Sequence, residues 1–216
     1  MRYVLFDLDG TLVDSSKGIT RCFQYAFLKL ELAPPSKEEL RSCIGPPLID
    51  SFLRFLNGDR EKAERGVRFY RERYAVEGWK ECELLPGAYE CLKTLAAEGK
   101  ILALATGKPQ RFAENILSFF GLDAFFSVVV GSKEDNSFDE KGAIIQKAMA
   151  LLGAEKERTV MVGDREHDII GARKNGVPCV GLKIGFAAEG ELESAGAAYL
   201  ADDFSHLHSL LQASNG

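Results

Sequence analysis

The 216-residue chain is 46% hydrophobic and 27% charged, with 27 Lys+Arg against 32 Asp+Glu and a formal net charge of -5. That length supports one sizeable core, or one core plus a small inserted module. The mild acidity, without any basic run, argues against a nucleic-acid polymer or an anionic membrane surface as a partner. The five scattered cysteines form no Cys-x-x-Cys pair, which argues against a disulfide framework or a structural zinc site and fits a reducing compartment. No apolar run approaches the roughly 18 residues of a membrane span, and the first residues do not read as a secretory leader. The expected location is the cytoplasm.

Tyr3 to Leu8 is a short apolar run stopped by Gly10, and it predicts a buried strand. From about Ser15 to Trp79 the spacing is helical and no strand pattern appears. Ile19, Cys22, Phe23, Ala26 and Phe27 share one apolar face. Ser36-Lys37-Glu38-Glu39 has the form of a capping box opening a second helix. Gly45-Pro46-Pro47 precedes a third helix through Leu48, Phe52, Leu53 and Leu56. Glu61 to Val76 reads as a charge-laced fourth helix whose Arg65, Arg68, Arg71 and Arg73 form a solvated face.

From Pro86 the texture changes, and helix and strand signals alternate. Helices are expected over Pro86 to Glu98, Pro109 to Phe120, Lys141 to Leu151, Glu166 to Lys174 and from about Phe204. Strands are expected over Ile101 to Ala105, Ser127 to Val130, Thr159 to Val162, Cys179 to Leu182 and Ala198 to Leu200. Near-continuous apolar strands alternating with helices imply a parallel sheet covered on both faces. The expected architecture is therefore α/β, a Rossmann-like parallel sheet with helices on both faces and an inserted α-helical cap. The core would span 1–14 and 82–216, and the cap 15–81.

Ligands of open parallel sheets bind beyond the carboxyl ends of the strands. Asp7-Leu8-Asp9-Gly10-Thr11 follows the first strand, Thr106-Gly107-Lys108 the second, Lys141 a loop after the third, and Gly163-Asp164-Arg165-Glu166-His167-Asp168 the fourth. Carboxylates, a hydroxyl beside a glycine, and a lysine are thus expected at one edge. That set suits phosphoryl transfer, where positive charge must offset a dianionic ester and the groups must lie in line. Magnesium takes oxygen ligands, and the Asp7 and Asp164 carboxylates with the Asp9 backbone carbonyl could supply them. Thr106 and the Gly107 amide could bind phosphate oxygens, with Lys141 as a point charge. A carboxylate nucleophile, with a reference pKa of about 3.9, needs no separate base at neutral pH. Asp7 would attack, and Asp9 would protonate the leaving alcohol and later accept a proton from water. Two acids two residues apart on an extended segment would point the same way. The bland alternatives are a calcium loop for the first motif and helix-capping roles for Asp164 and Asp168.

In order and type, these four motifs resemble those of the haloacid dehalogenase superfamily of phosphatases, and the resemblance covers essentially the whole chain. It implies Asp7 as nucleophile, Asp9 as acid and base, and Asp164 as a magnesium ligand. Asp168 would be a further ligand or a carboxylate just behind one, and Thr106, Gly107 and Lys141 would hold phosphate. Ile44-Gly45-Pro46-Pro47-Leu48 and the run from Gly163 to Ala172 resemble the phosphoglycolate phosphatase group, especially its 5′-nucleotidase-like branch. Gly142 stands where many relatives carry proline after the motif lysine, which leaves that helix start less fixed. The expected partner is a small phosphomonoester, acted on by a monomer or homodimer. A phosphomutase on the same scaffold, or a non-catalytic phosphate-binding protein, are the competing readings.

Overall fold

The computed structural model describes residues 1–133 and 140–213, so the outer end of the expected core range, 214–216, lies outside the described residues. Strand β1 (Tyr3–Phe6) is followed by β2 (Val13–Asp14), then by helices α1 (Ser16–Lys29), α2 (Lys37–Arg41), α3 (Leu48–Phe55) and α4 (Arg60–Val76), and by β3 (Glu83–Leu84). Helices and strands then alternate: α5 (Ala88–Ala97), β4 (Ile101–Pro109), α6 (Gln110–Phe119), β5 (Phe126–Ser132), α7 (Lys141–Leu152), β6 (Thr159–Gly163), α8 (Glu166–Lys174), β7 (Cys179–Leu182), α9 (Glu191–Ala195), β8 (Tyr199–Ala201) and α10 (Phe204–Ala213). The chain separates into two compact units, Met1–Val13 with Leu84–Gly216, and Asp14–Glu83.

The first unit holds a six-stranded sheet in the order β5-β4-β1-β6-β7-β8, parallel throughout. β1 lies at its centre because all four of its residues are apolar and can be buried on both faces. Tyr3 and Leu5 join a core with Ile144, Ile145 and Ala148 of α7 and Ile169 and Ala172 of α8. Val4 and Phe6 alternate to the opposite face and are equally buried, so that face is covered too. Phe6 is level with Leu104 on one side and Val162 on the other. The chain leaves β1 toward β4 and β5 in one direction and toward β6, β7 and β8 in the other. That reversal of strand order leaves a crevice beyond the carboxyl end of β1.

The second unit is helical and is built around rings. Phe23 on α1 lies 4.8 Å from Phe52 on α3 and 5.1 Å from Tyr70 on α4, centroid to centroid. Gly66 lets α4 come close to α3, because a Cβ there would meet the Phe52 ring at 2.7 Å. The capping box forms as read: Glu39 N–H donates to Ser36 Oγ at 3.3 Å and Ser36 N–H donates to Glu39 Oε2 at 2.9 Å. The arginine face of α4 has one exception. Arg73 is only 16% exposed and is paired with Glu81 at 2.7 Å and Glu77 at 3.2 Å. Composition alone gave no sign that Glu81, outside the helix, folds back onto it.

Candidate active site

Asp7 stands one residue beyond β1, and its N–H still donates to Val162 O at 2.9 Å. The extended run ends there. Thr11, Leu12 and Val13 all donate to Leu8 O, and Gly10 N–H donates to Val13 O at 2.8 Å, which winds residues 8–13 into a compact turn. A turn rather than one extended segment therefore links Asp7 to Asp9, and the two acids meet different cations. Asp7 Oδ1 lies 2.7 Å from Lys141 Nζ, whereas Asp9 Oδ2 lies 3.0 Å from Lys108 Nζ. Gly10 makes the turn possible in two ways. Its φ is +78°, and a Cβ there would overlap the Asp164 carboxylate and the Phe186 ring.

Asp164 follows β6 and is fully buried. Thr11 Oγ1 donates to its Oδ1 at 3.1 Å, and Phe186 N–H donates to its Oδ2 at 2.7 Å. Burial, and then the charges of Asp168 and Asp7, push its carboxyl well above the ordinary aspartate range. Asp168, one turn into α8, sits 2.7 Å from Lys141 Nζ through Oδ1, and its Oδ2 accepts from Arg165 N–H at 3.1 Å. It closes the first turn of α8 as an acid at a helix start should, while also holding the lysine. Burial raises its pKa as well, against the pull of Lys141. For Lys141 itself burial acts to lower the pKa, but the adjacent Asp168 and Asp7 carboxylates outweigh it and hold the ammonium charged.

Carboxylate oxygens of Asp7, Asp164 and Asp168 lie within 4.8 Å of one another. Among the described residues, four acids (Asp7, Asp9, Asp164, Asp168) share this edge with two ammonium groups (Lys108, Lys141), a formal excess of two negative charges when all are ionised. An all-oxygen donor set with that excess fits a hard divalent cation. Thr106 is buried two residues past the Leu104–Phe6 register, its Oγ1 accepting from Lys108 N–H at 3.2 Å, and Gly107 next to it is exposed. Lys141 opens α7 without a following proline. Asn175 holds this helix start instead, its Nδ2 donating to Gly142 O at 2.8 Å and to Gly171 O at 2.9 Å.

Three contributors escaped the reading of strand ends. Lys108 belongs to Thr106-Gly107-Lys108, but its place in the sequence assigns it no task. The segment after β7 acts through its backbone, which leaves no side-chain signal in the sequence: it supplies Phe186 N–H to Asp164, and a Cβ on Gly185 would overlap that carboxylate. Glu191 could not be placed from sequence, because its partners are distant. It accepts from Arg165 Nε at 2.7 Å and from Glu166 N–H and Ala188 N–H at 3.0 Å each, tying the start of α8 to the segment that covers Asp164.

A family model for haloacid dehalogenase-like hydrolases matches residues 4–182. A 5′-nucleotidase of Pseudomonas aeruginosa is 37% identical over 214 residues, covering 98% of this chain and 97% of its own. The pyrophosphatase PpaX of Halalkalibacterium halodurans is 39% identical over 188 residues, 87% of this chain and 85% of its own. The crystal structure of a predicted phosphatase from Clostridium acetobutylicum superposes with a TM-score of 0.92 at 37% identity, covering 98% of each chain.

Proposed function

This chain belongs to the haloacid dehalogenase-like hydrolase family, and we propose that it is a magnesium-dependent phosphatase that hydrolyses small phosphomonoesters through an aspartyl-phosphate on Asp7. The observation that carries this reading is the pairing of Asp7 with the buried Lys141 beside Asp164 and Asp168. Asp7 is a carboxylate held by one cation at the end of the central strand, where an ester phosphate could be met in line.

In this reading an Asp7 oxygen attacks phosphorus as the bond to the leaving alcohol breaks, and Asp9 gives that alcohol its proton. Water then attacks the aspartyl-phosphate, Asp9 takes a proton from it, and Asp7 is regenerated. Thr106, Gly107 and Lys141 hold the phosphate oxygens. Magnesium, when bound by Asp7, Asp164 and the Asp9 carbonyl, supplies charge that offsets the dianionic ester. Asp168 serves mainly by holding Lys141, since both of its oxygens already have partners. Residues 15–81 are the inserted helical cap in this reading. The five cysteines are buried and form no disulfide among the described residues, in keeping with work in the reducing cytoplasm.

Nucleoside 5′-monophosphates are the leading substrates, supported by the Pseudomonas relative that matches nearly end to end. Phosphoglycolate follows from the sequence resemblance, and pyrophosphate from the PpaX relative. Asp7→Asn is expected to abolish magnesium-dependent release of p-nitrophenol from p-nitrophenyl phosphate with an unchanged circular dichroism spectrum. Turnover retained by that variant would remove Asp7 as nucleophile. A phosphate-release screen over the three substrate classes then ranks them.

A further inference from the structure

Lys108 is more deeply buried than its place at the end of β4 requires. Its side chain is 5% exposed, and its Nζ lies 3.0 Å from Asp9 Oδ2. The other oxygen of that carboxylate, Oδ1, is buried and accepts no hydrogen bond among the described residues. The N–H of the same lysine donates to Thr106 Oγ1 at 3.2 Å, so one residue touches both the acid and the hydroxyl of the site. An ammonium is costly to bury unless a paired charge compensates, and an apolar side chain would fill the position without that cost.

We propose that Lys108 is a positioning residue that holds Asp9 by Oδ2 and so reserves Oδ1 for proton exchange with the substrate. The inference rests on the aspartyl-phosphate reading. In the first step the proton on Oδ1 passes to the leaving alcohol oxygen as its bond to phosphorus breaks. In the second, the attacking water returns a proton to Oδ1 as its oxygen bonds to phosphorus and the bond from phosphorus to the Asp7 oxygen breaks, which releases inorganic phosphate. Lys108 exchanges no proton in either step. Its contribution is to remove the rotational freedom of the Asp9 carboxyl, which is an orientation effect.

The two steps differ in their need for Asp9, which makes the role measurable. A p-nitrophenolate leaves readily without protonation, whereas an alkoxide does not. In single-turnover experiments, Lys108→Met is expected to slow phosphoryl transfer from an alkyl phosphate by about 10²-fold, a typical loss when a general acid is misplaced. Transfer from p-nitrophenyl phosphate should change several-fold less. Lys108→Gln, which keeps a donor toward Asp9, should recover part of the loss, and it carries the same comparison should Lys108→Met not fold. Adding Lys108→Met to Asp9→Asn should cost nothing further. Equal losses on both esters, with weaker inhibition by inorganic phosphate, would instead place Lys108 on the phosphate and overturn the proposal. Failure of the parent reading shows separately, as turnover retained by Asp7→Asn. With that variant dead, a flat response to Lys108→Met overturns the positioning role alone.

Discussion

Arg73 in the helical unit and Lys141 in the α/β unit each hold two carboxylates, and they differ in what is left over. Arg73 meets Glu77 and Glu81, and Glu81 in turn meets Arg21 at 2.6 Å, so two cations face two anions. Lys141 meets Asp7 and Asp168 with Asp164 beside them, so among the described residues one cation faces three acids, all of them little exposed. The first cluster is complete and ties α4 to the segment after it. The second packs like charges together in a buried site, an arrangement that an added divalent cation would balance. A balanced network serves the fold, while a buried excess of one charge sign suits the binding of an opposite ion.

The comparison is broken most severely by removing Lys141. Lys141→Met leaves Asp7 and Asp168 buried without their cation, a change of the kind that costs about 3–5 kcal/mol. For a chain of this size each kcal/mol is worth about 2–4 °C in Tm, so differential scanning calorimetry should register a fall near ten degrees. A shift of one degree would mean that these acids are not ionised in the native state.

Magnesium should act in the opposite sense. At a concentration about a hundred times its Kd, a ligand confined to the native state adds about 2.7 kcal/mol, and the Tm should rise accordingly. Asp164→Asn should abolish that rise. The same variant should be more stable than the parent in the absence of metal, by about 1 kcal/mol, because it removes one of the crowded charges. An unchanged metal response in Asp164→Asn would remove this residue from the ion's ligands.

The smallest effect belongs to the balanced network. The hydrogen bonds from Arg73, opposed by burial and aided by Arg21, hold the Glu81 carboxyl below the usual glutamate range. A carboxyl depressed in the folded state binds fewer protons there than in the unfolded chain. Its stabilisation is therefore complete above the unfolded value of about 4.3 and is lost as pH falls through the folded value. Glu81→Gln should cost about 1 kcal/mol at pH 7, and the gap in Tm should close on acidification below pH 4. A gap independent of pH would mean that packing, not charge, is what Glu81 supplies.

Much of the α/β unit was legible because its rules are local. β7 and α8 appear within the residues read from the sequence, and α7 starts at Lys141 as expected. Four apolar residues bounded by turn formers make a strand, and a following 3.6-residue period makes a helix. The helix α9 leaves no signal in the sequence because five residues carry too little periodicity to read. β4 runs on to Pro109, past the Ala105 expected as its end, because pairing with β5 carries the backbone on where apolar content had stopped.

The sequence by itself determined the order of strands and helices, the helical interruption after β1, and the set of acids, hydroxyl and lysines that the strand ends deliver. Those follow from composition and period, which the chain carries wherever it goes. Only the tertiary structure decided which charge meets which. Asp7 meets Lys141 from the start of α7 and Asp9 meets Lys108 from the end of β4, and Asp164 meets Phe186 N–H because β7 lies beside β6. Partners so far apart in sequence leave no local signal, because their interaction exists only after the sheet has brought the strands to one edge.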